Sequence, residues 1–169
     1  MNVLTLDKKR GSIFTFILYI LGTIIGATIN YYFIRIEIFK VDSLLAFAFM
    51  WSIALHELTH YGVYKYIAGA NKSNLNFSKD KKIDIPYFKI RMNIKKKVLF
   101  LSLILPFITT SMTIIAFNVI TGNFAYCFLL GIGFALSGAD FDIAMQLMKQ
   151  NNQEWKSLDN EFGFIGSDQ

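Results

Sequence analysis

The sequence predicts an all-α fold: a polytopic membrane bundle of four transmembrane helices with a small strand-like cytoplasmic loop. Three observations lead to this fold class. Of the 169 residues, 54% are hydrophobic, whereas soluble domains usually contain about 45–50%. The mean hydropathy is positive, at +0.42. The apolar residues collect in long runs, which is typical of helices that cross a bilayer.

Four apolar runs are predicted to form the spans, at about residues 12–33, 43–68, 98–120 and 124–148. Each of the first three has roughly 20 or more residues, which at about 1.5 Å per residue matches the thickness of a bilayer. The first run is longer than the roughly 7–15-residue apolar core of a signal peptide, so we expect a retained span. The fourth carries Asp140 and Asp142 near its end, which leaves its first two-thirds clearly compatible with lipid.

The basic residues, which give the chain a net charge of +5, alternate between rich and poor segments. Ten lie between Lys65 and Lys97, only Arg35 and Lys40 follow the first run, and none lies in the link at 121–123. The positive-inside rule then places both termini and the loop at 71–97 in the cytoplasm, as in a multi-pass protein of the cell membrane. Because basic residues flank apolar runs, we expect a lipid bilayer and no nucleic acid as partner.

The loop at 71–97 and a polar tail at 150–169 complete a single predicted domain, residues 1–169. In the loop, "NLNFS" and "KIDIPYFKIRM" alternate polar and apolar residues, which predicts short strands arranged as a hairpin. In the tail, "EFGFIG" is expected to dock back onto the protein.

Two features inside the runs predict details of helix packing. Gly22 and Gly26 form a small-xxx-small pair, which allows another helix to approach closely. Pro106 in "LILPFITTS" is expected to kink the third run, with the freed backbone groups met by hydroxyls one turn further on, those of Thr109, Thr110 or Ser111. A proline that the helix simply tolerates is the alternative.

The stretch "WSIALHELTHYGVYKY" in the second run contains both histidines of the chain. His56 and His60 are four residues apart, so a helix places both imidazoles on one face, where they can reach one tetrahedral Zn²⁺. Glu57 is turned by about 100° around the helix and can reach a water molecule beside the metal. Two ligands and a general base are the chemistry of the H-E-x-x-H motif. Ionisable residues at membrane depth need such a partner or role.

A catalytic zinc ion usually has three protein ligands, and no third histidine or nearby cysteine is available here. Asp140 lies about 24 Å along the fourth run, between the roughly 20 and 26 Å of His56 and His60 along the second. Asp142 is the competitor, but it points about 200° away from Asp140 unless the helix breaks at 137–139. We favour Asp140 because it lies deeper, and Asp142 is then expected to be solvated at the helix end.

Together, "HELTH" in a span, the basic strand-like loop, "LILPFIT", "LSGAD" and "DNEFGF" resemble a bacterial domain family of unknown function, thought to contain zincin peptidases. The resemblance covers roughly Ser43 to Phe164, and "HELTH" is its specific part. That family is similar in plan to the intramembrane site-2 zinc metalloproteases, in which H-E-x-x-H and an aspartate from a later span bind zinc near the cytoplasmic face.

The resemblance implies one role for each matching position: zinc ligands at His56, His60 and Asp140, and a general base at Glu57. One position departs from the site-2 pattern. There, glycine typically follows the ligand aspartate, whereas Phe141 follows Asp140 here.

The sequence therefore predicts a membrane-embedded zinc metalloendopeptidase of the HExxH type, with Zn²⁺ as cofactor. The expected substrate is a membrane-anchored protein or peptide, cleaved near the cytoplasmic face. Two other functions stay open. The first is a non-catalytic membrane protein, such as a metal-binding relic or an immunity or accessory factor. The second is a small proton-coupled transporter that uses His56 and Asp140 as proton carriers.

Overall fold

A computed structural model of the chain describes residues 2–34, 43–79, 86–158 and 163–167. Within these ranges, five α-helices dominate: α1 (Lys8–Ile29), α2 (Ser43–Gly62), α3 (Lys96–Thr121), α4 (Ala125–Leu136) and α5 (Gly138–Met148). Turns of π-helix extend two of them, from Asn30 to Ile34 after α1 and from Val63 to Ile67 after α2. Six short strands complete the described chain: β1 (Val3–Thr5), β2 (Leu75–Lys79), β3 (Pro86–Ile90), β4 (Ile94–Lys95), β5 (Glu154–Ser157) and β6 (Gly163–Ser167).

The predicted spans correspond to helices, but not all of these helices qualify as spans. Two, Lys9–Tyr32 and Lys96–Thr121, are long and apolar enough to cross a membrane, and α4 and α5 qualify together as a pair bent by 42°. The described residues thus hold two candidate spans, or three if the bent pair is one span. The structure therefore supports two or three of the four predicted spans as candidates. The helix that is not among these candidates is α2, which contains the polar "HELTH".

Local signals fix where two of the helices begin and end. The Asp7 carboxylate caps α1 by accepting hydrogen bonds from the backbone N–H groups of Arg10 at 3.0 Å and Lys9 at 2.9 Å. These bonds hold the pKa of Asp7 below its ordinary value. At the other end of the bundle, α3 stops at Gly122, whose φ of 62° lies in the left-handed region that favours glycine. The chain can therefore reverse within three residues and enter α4.

The glycine pair in the first run lies where α1 packs against α4. A Cβ atom added at Gly26 would lie 2.8 Å from the Cα of Cys127, and one added at Gly22 would lie 2.9 Å from the Cα of Gly131. Real Cβ atoms do not approach a backbone so closely. The absence of side chains at these two positions is therefore what allows the backbones of α1 and α4 to meet, as the small-xxx-small spacing predicts.

We expect Gly26→Ala to lower the free energy of unfolding by about 1–3 kcal/mol, because the new methyl group overpacks a rigid helix contact. Gly62→Ala is the matched control. Gly62 is also helical, with φ of −60°, but an added Cβ there meets nothing within 4 Å. Unfolding in detergent, followed by circular dichroism, should show a loss for the first variant and none for the second. Equal stability of the two variants would contradict the close contact.

The strand-like loop contains an antiparallel hairpin of β2 and β3, with Leu75 opposite Ile90 and Lys79 opposite Pro86. Residues 80–85, between these strands, lie outside the described residues. So do Arg35 and Lys40, which entered the assignment of the membrane orientation.

A second sheet, which the sequence analysis did not predict, makes the fold class more than all-α. Its four antiparallel strands lie in the order β1-β6-β5-β4. The segment at 150–169, expected to be a polar tail, supplies two of them, and Trp155 and Phe164 are buried there. The "GFIG" part of the segment that was expected to dock back lies in β6, while Glu161 and Phe162 lie outside the described residues. The sheet joins the starts of α1 and α3 to the end of α5, so these three helix ends lie on one face.

Two hydrophobic clusters lie at opposite ends of the helices. The sheet-side cluster combines sheet and helix residues, among them Leu4, Tyr64, Ile90, Leu99, Leu103, Ile143, Leu147, Trp155 and Phe164. The far cluster is built by helix residues alone: Ala48, Ile114, Tyr126, Leu129, Leu130 and Phe134. Along α2 and its π-helical extension, the two histidines come between Ala48 of the far cluster and Tyr64 of the sheet-side cluster. The clusters therefore hold the polar part of α2 from both ends.

Candidate metal centre

The buried face of α2 is a stripe of residues spaced four apart: Ala48, Ser52, His56 and His60. Residues at this spacing share one face of a helix, and this face packs against α3 and α4. Small residues form the first half of the stripe and the imidazoles form the second half. The same helical packing that buries Ala48 therefore buries both histidines.

Asp140, in the first turn of α5, faces this stripe. Its Oδ2 atom lies 3.0 Å from Nε2 of His56 and 3.3 Å from Nε2 of His60. The ligand atoms of the three residues all lie within 4.8 Å of one another. All three residues are buried, with 6%, 8% and 3% of their surfaces exposed for His56, His60 and Asp140. Two helices that are far apart in the sequence thus bring together three side chains that could hold a metal ion.

The geometry and chemistry of this group fit a zinc ion. Imidazole nitrogens and carboxylate oxygens bind zinc at about 2.0–2.2 Å, which in a tetrahedron puts ligand atoms about 3.3–3.6 Å apart. The 3.3 Å distance from Asp140 Oδ2 to His60 Nε2 falls in this range, and the 3.0 Å distance to His56 Nε2 lies slightly below it. Three protein ligands leave one position of the tetrahedron for water or substrate. The three residues could therefore hold a metal ion in the manner of a catalytic site.

Glu57 lies beside His56, His60 and Asp140 but is not one of the three residues whose ligand atoms converge. It interacts electrostatically with His60, His56 and Asp140. Its Oε2 atom is buried and has no hydrogen-bond partner among the described residues. Because it is a buried carboxylate oxygen next to these three side chains, Glu57 Oε2 can accept a proton released from a molecule bound beside them.

The structure separates Asp142 from the metal-binding group. Asp142 forms an ion pair with Arg10 of α1, through Nε to Oδ1 and through Nη2 to Oδ2 at 3.4 Å. Gln146 Nε2 also donates to Oδ2, at 3.1 Å. The expectation of a solvated Asp142 is therefore wrong, since the side chain is 1% exposed. The helix does break at Ser137, but both aspartates follow the break in α5 and still point to different neighbours.

Phe141, the departure from the site-2 pattern, packs onto α3. Its ring meets that of Phe107 edge to face, with centroids 5.1 Å apart. The residue after Asp140 therefore helps to hold α5 against α3, which a glycine in that position would not do.

Two further residues beside His60 were missed by the sequence analysis. The Tyr64 ring stacks on the His60 imidazole, with centroids 6.4 Å apart and an interplanar angle of 23°. Ser102 Oγ donates a hydrogen bond to Tyr64 Oη at 3.3 Å. Tyr64 follows His60 by four residues, so the same helical spacing could have revealed it. Ser102 has no such signal, because its position depends on how α3 packs against α2.

Comparison with known proteins identifies a family for the chain. No curated protein and no solved structure matches the chain. One family model matches residues 49–155, more than half of the chain, and the matched region contains both histidines, Glu57 and Asp140. The family is described as "Putative zincin peptidase", which confirms the resemblance inferred from the sequence motifs. The chain therefore belongs to this family.

Proposed function

We propose that the protein is a membrane-embedded zinc metallopeptidase that cleaves a membrane-associated protein or peptide near the cytoplasmic face. The convergence of His56, His60 and Asp140, with Glu57 beside them, carries the proposal. Membership of the zincin family supports peptidase activity. A bound zinc ion supplies a Lewis acid that lowers the pKa of water and polarises a carbonyl group.

The roles of the residues follow from their chemistry. His56 and His60 would hold the ion, and Asp140 would be the third ligand and contribute a negative charge. Glu57 accepts the proton of the attacking water and passes it to the nitrogen of the leaving amine. Burial between α2 and α5 limits the access of bulk water, so these groups act in a medium where their interactions are stronger than in water.

The membrane location rests on the surface of the helices. Large apolar side chains point outward from α1 and α3, among them Phe16, Ile24 and Met112, each more than half exposed. Patches of this kind mark contact with lipid or protein. In the proposed arrangement, α2 is a fourth span whose polar residues are shielded within the bundle. The four-stranded sheet joins the starts of α1 and α3 to the end of α5 on one face. This arrangement, together with the basic residues near the sheet, supports cytoplasmic termini.

The β2–β3 hairpin is the proposed binding element for substrate. Phe88 of β3 contacts Tyr61 of α2, with ring centroids 5.5 Å apart, and Tyr61 adjoins His60 in the sequence. A substrate helix must unwind before its amide can be attacked, because helical hydrogen bonds occupy the backbone. An extended segment released in this way can pair with the edge of the hairpin.

The proposal predicts that purified protein in liposomes cleaves a membrane-anchored reporter, that a chelator stops cleavage, and that added zinc restores it. The reason is that water is too weak a nucleophile at neutral pH without the ion. Cleavage is read by gel and zinc content by elemental analysis, with His56→Ala as the metal-deficient control. Stoichiometric zinc without turnover of any peptide would instead favour a metal-binding relic. Proton-coupled flux without metal would favour a transporter.

A further inference from the structure

The helix pair α4 and α5 carries Asp140 three residues after its break. The two halves are bent by 42° where they meet at Ser137, whereas α3 continues unbroken through Pro106. A serine followed by glycine is a common site of sharp kinks. Within the described chain, however, no side-chain hydrogen bond caps α5 at Ser137, and the buried Ser137 Oγ atom has no partner. The direction of α5 after the break must therefore be set by its packing.

One face of α5 lies against the N-terminal part of the chain. This face is a stripe of residues spaced four apart, which share one side of a helix. Its members meet successive positions in and before α1: Gly138 lies against Thr15, Asp142 pairs with Arg10, and Gln146 donates to the Thr5 carbonyl at 2.9 Å. Asp140 is two positions from Gly138 and so points about 200° away around the helix. Holding the stripe against α1 therefore fixes where Asp140 points.

Helix α1 packs on both sides of the break. Before the break, a Cβ atom added at Gly131 of α4 would lie 2.8 Å from the carbonyl oxygen of Tyr19. After it, a Cβ atom added at Gly138 would overlap Oγ1 of Thr15 and lie 3.0 Å from both the Cα and the backbone N of that residue. Tyr19 and Thr15 are one turn apart on the same helix. The backbone of α1 therefore bridges the break and holds α4 and α5 at their observed angle.

We propose that Gly138 is a positioning residue of the metal centre. Because it has no Cβ atom, α5 can lie directly against α1 as soon as the break is passed. This contact directs Asp140 at the imidazoles, with Oδ2 at 3.0 Å from Nε2 of His56 and 3.3 Å from Nε2 of His60. The role in metal binding rests on the proposed function, whereas the placement of Asp140 by α1 does not.

The expected sensitivity follows from how closely the backbones meet. A methyl group at position 138 would crowd atoms of a helix backbone, which cannot turn aside as the end of a long side chain can. The start of α5 must then move away from α1, and Asp140 moves with it. Metal-binding groups have to be held within about 0.5 Å of their productive geometry. A small displacement of α5 is therefore sufficient to weaken the site.

Gly138→Ala tests the proposal. We expect the Kd for zinc, measured by competition with a chromophoric chelator, to rise about 10–100-fold, as for the loss of other groups that support a metal ligand. Gly62→Ala makes the same chemical change at a helical glycine whose added Cβ meets nothing within 4 Å. Asp142→Asn weakens another contact of α5 with α1 but adds no atom between the helices. Both controls should keep the wild-type Kd, so that a loss of stability alone does not explain the effect.

A double variant decides the matter if Gly138→Ala does not fold. Thr15→Ala removes the Oγ1 atom that the new methyl group overlaps, while the Cα and N atoms of residue 15 stay 3.0 Å from it. The crowding is reduced but not abolished. Gly138→Ala/Thr15→Ala should therefore fold and bind zinc more weakly than Thr15→Ala alone. In that case, equal Kd values for these two proteins would contradict the role of Gly138.

A measurement on the metal-free protein separates this proposal from the proposed function. The chain has only two histidines, so ¹⁵N labelling of histidine gives two imidazole spectra that report on the nearby Asp140 carboxylate. At one fixed pH, the imidazole nitrogen shifts should change in Gly138→Ala and stay as in wild type in Gly62→Ala. A Kd of Gly138→Ala within twofold of wild type, or unchanged imidazole shifts, would overturn the inference. Wild-type protein that binds no zinc would contradict the proposed function instead, and the shifts would still decide whether Gly138 places Asp140.

Discussion

Glu57→Gln is expected to lower the rate of peptide cleavage about 10²–10⁴-fold, the usual contribution of a general base, while zinc stays bound. Glutamine has nearly the same shape as glutamate but cannot accept a proton from water. Zinc should remain because Glu57 is not among the three residues whose ligand atoms converge. The buried Oε2 atom of Glu57, which has no hydrogen-bond partner among the described residues, is the acceptor that the substitution removes.

Single-turnover cleavage of the membrane-anchored reporter, together with the zinc content of the same sample, measures both parts of this expectation. Glu154→Gln is the matched control, because Glu154 lies in β5 and its Oε2 atom accepts a bond from Asn93 Nδ2 at 3.2 Å, which an amide oxygen preserves. Equal cleavage by Glu57→Gln and wild type would end the role as base. Loss of zinc together with cleavage would make Glu57 a ligand.

The arrangement of the candidate site could be predicted because it depends on local helix geometry. The spacing of His56 and His60 fixes their common face, whatever surrounds α2. Counting the rise along two helices was sufficient to place Asp140 at the depth of the histidines. The angle between positions two apart predicted that Asp140 and Asp142 would not face the same neighbours, while their depths favoured Asp140 without excluding Asp142. In the structure, Asp140 and Asp142 indeed meet different helices.

The four-stranded sheet could not be predicted because two of its three strand pairings are long-range. Val3 lies opposite Ile165, and Ile94 lies opposite Trp155. Strands of two to five residues are too short to show a clear alternation of polar and apolar side chains. The ion pair of Arg10 with Asp142 is of the same kind, since it joins residues 132 positions apart. Its two members look like an interfacial cation and a solvated helix end until α1 and α5 are placed side by side.

Asp140→Asn is expected to weaken zinc binding, whereas Asp142→Asn is expected to lower the stability of the fold. An amide is a neutral and weaker ligand, so the Kd of Asp140→Asn for zinc should rise by more than the roughly 10–100-fold that an outer-shell change costs. Asp142→Asn should bind zinc as wild type does. Its free energy of unfolding should fall by about 1.5–3 kcal/mol, because the hydrogen bonds from Arg10 and Gln146 lose their charged acceptor.

Chelator competition gives the two zinc affinities, and denaturation of the metal-free proteins gives the two stabilities. Each variant is the other's control, since the same chemical change is made two residues apart on α5. If Asp142→Asn lost zinc while Asp140→Asn retained it, α5 would have to be turned by about half a revolution, away from both Arg10 and the histidines it meets here. The opposite losses are expected because one helix turns one carboxylate towards the imidazoles of α2 and the other towards the guanidinium of α1.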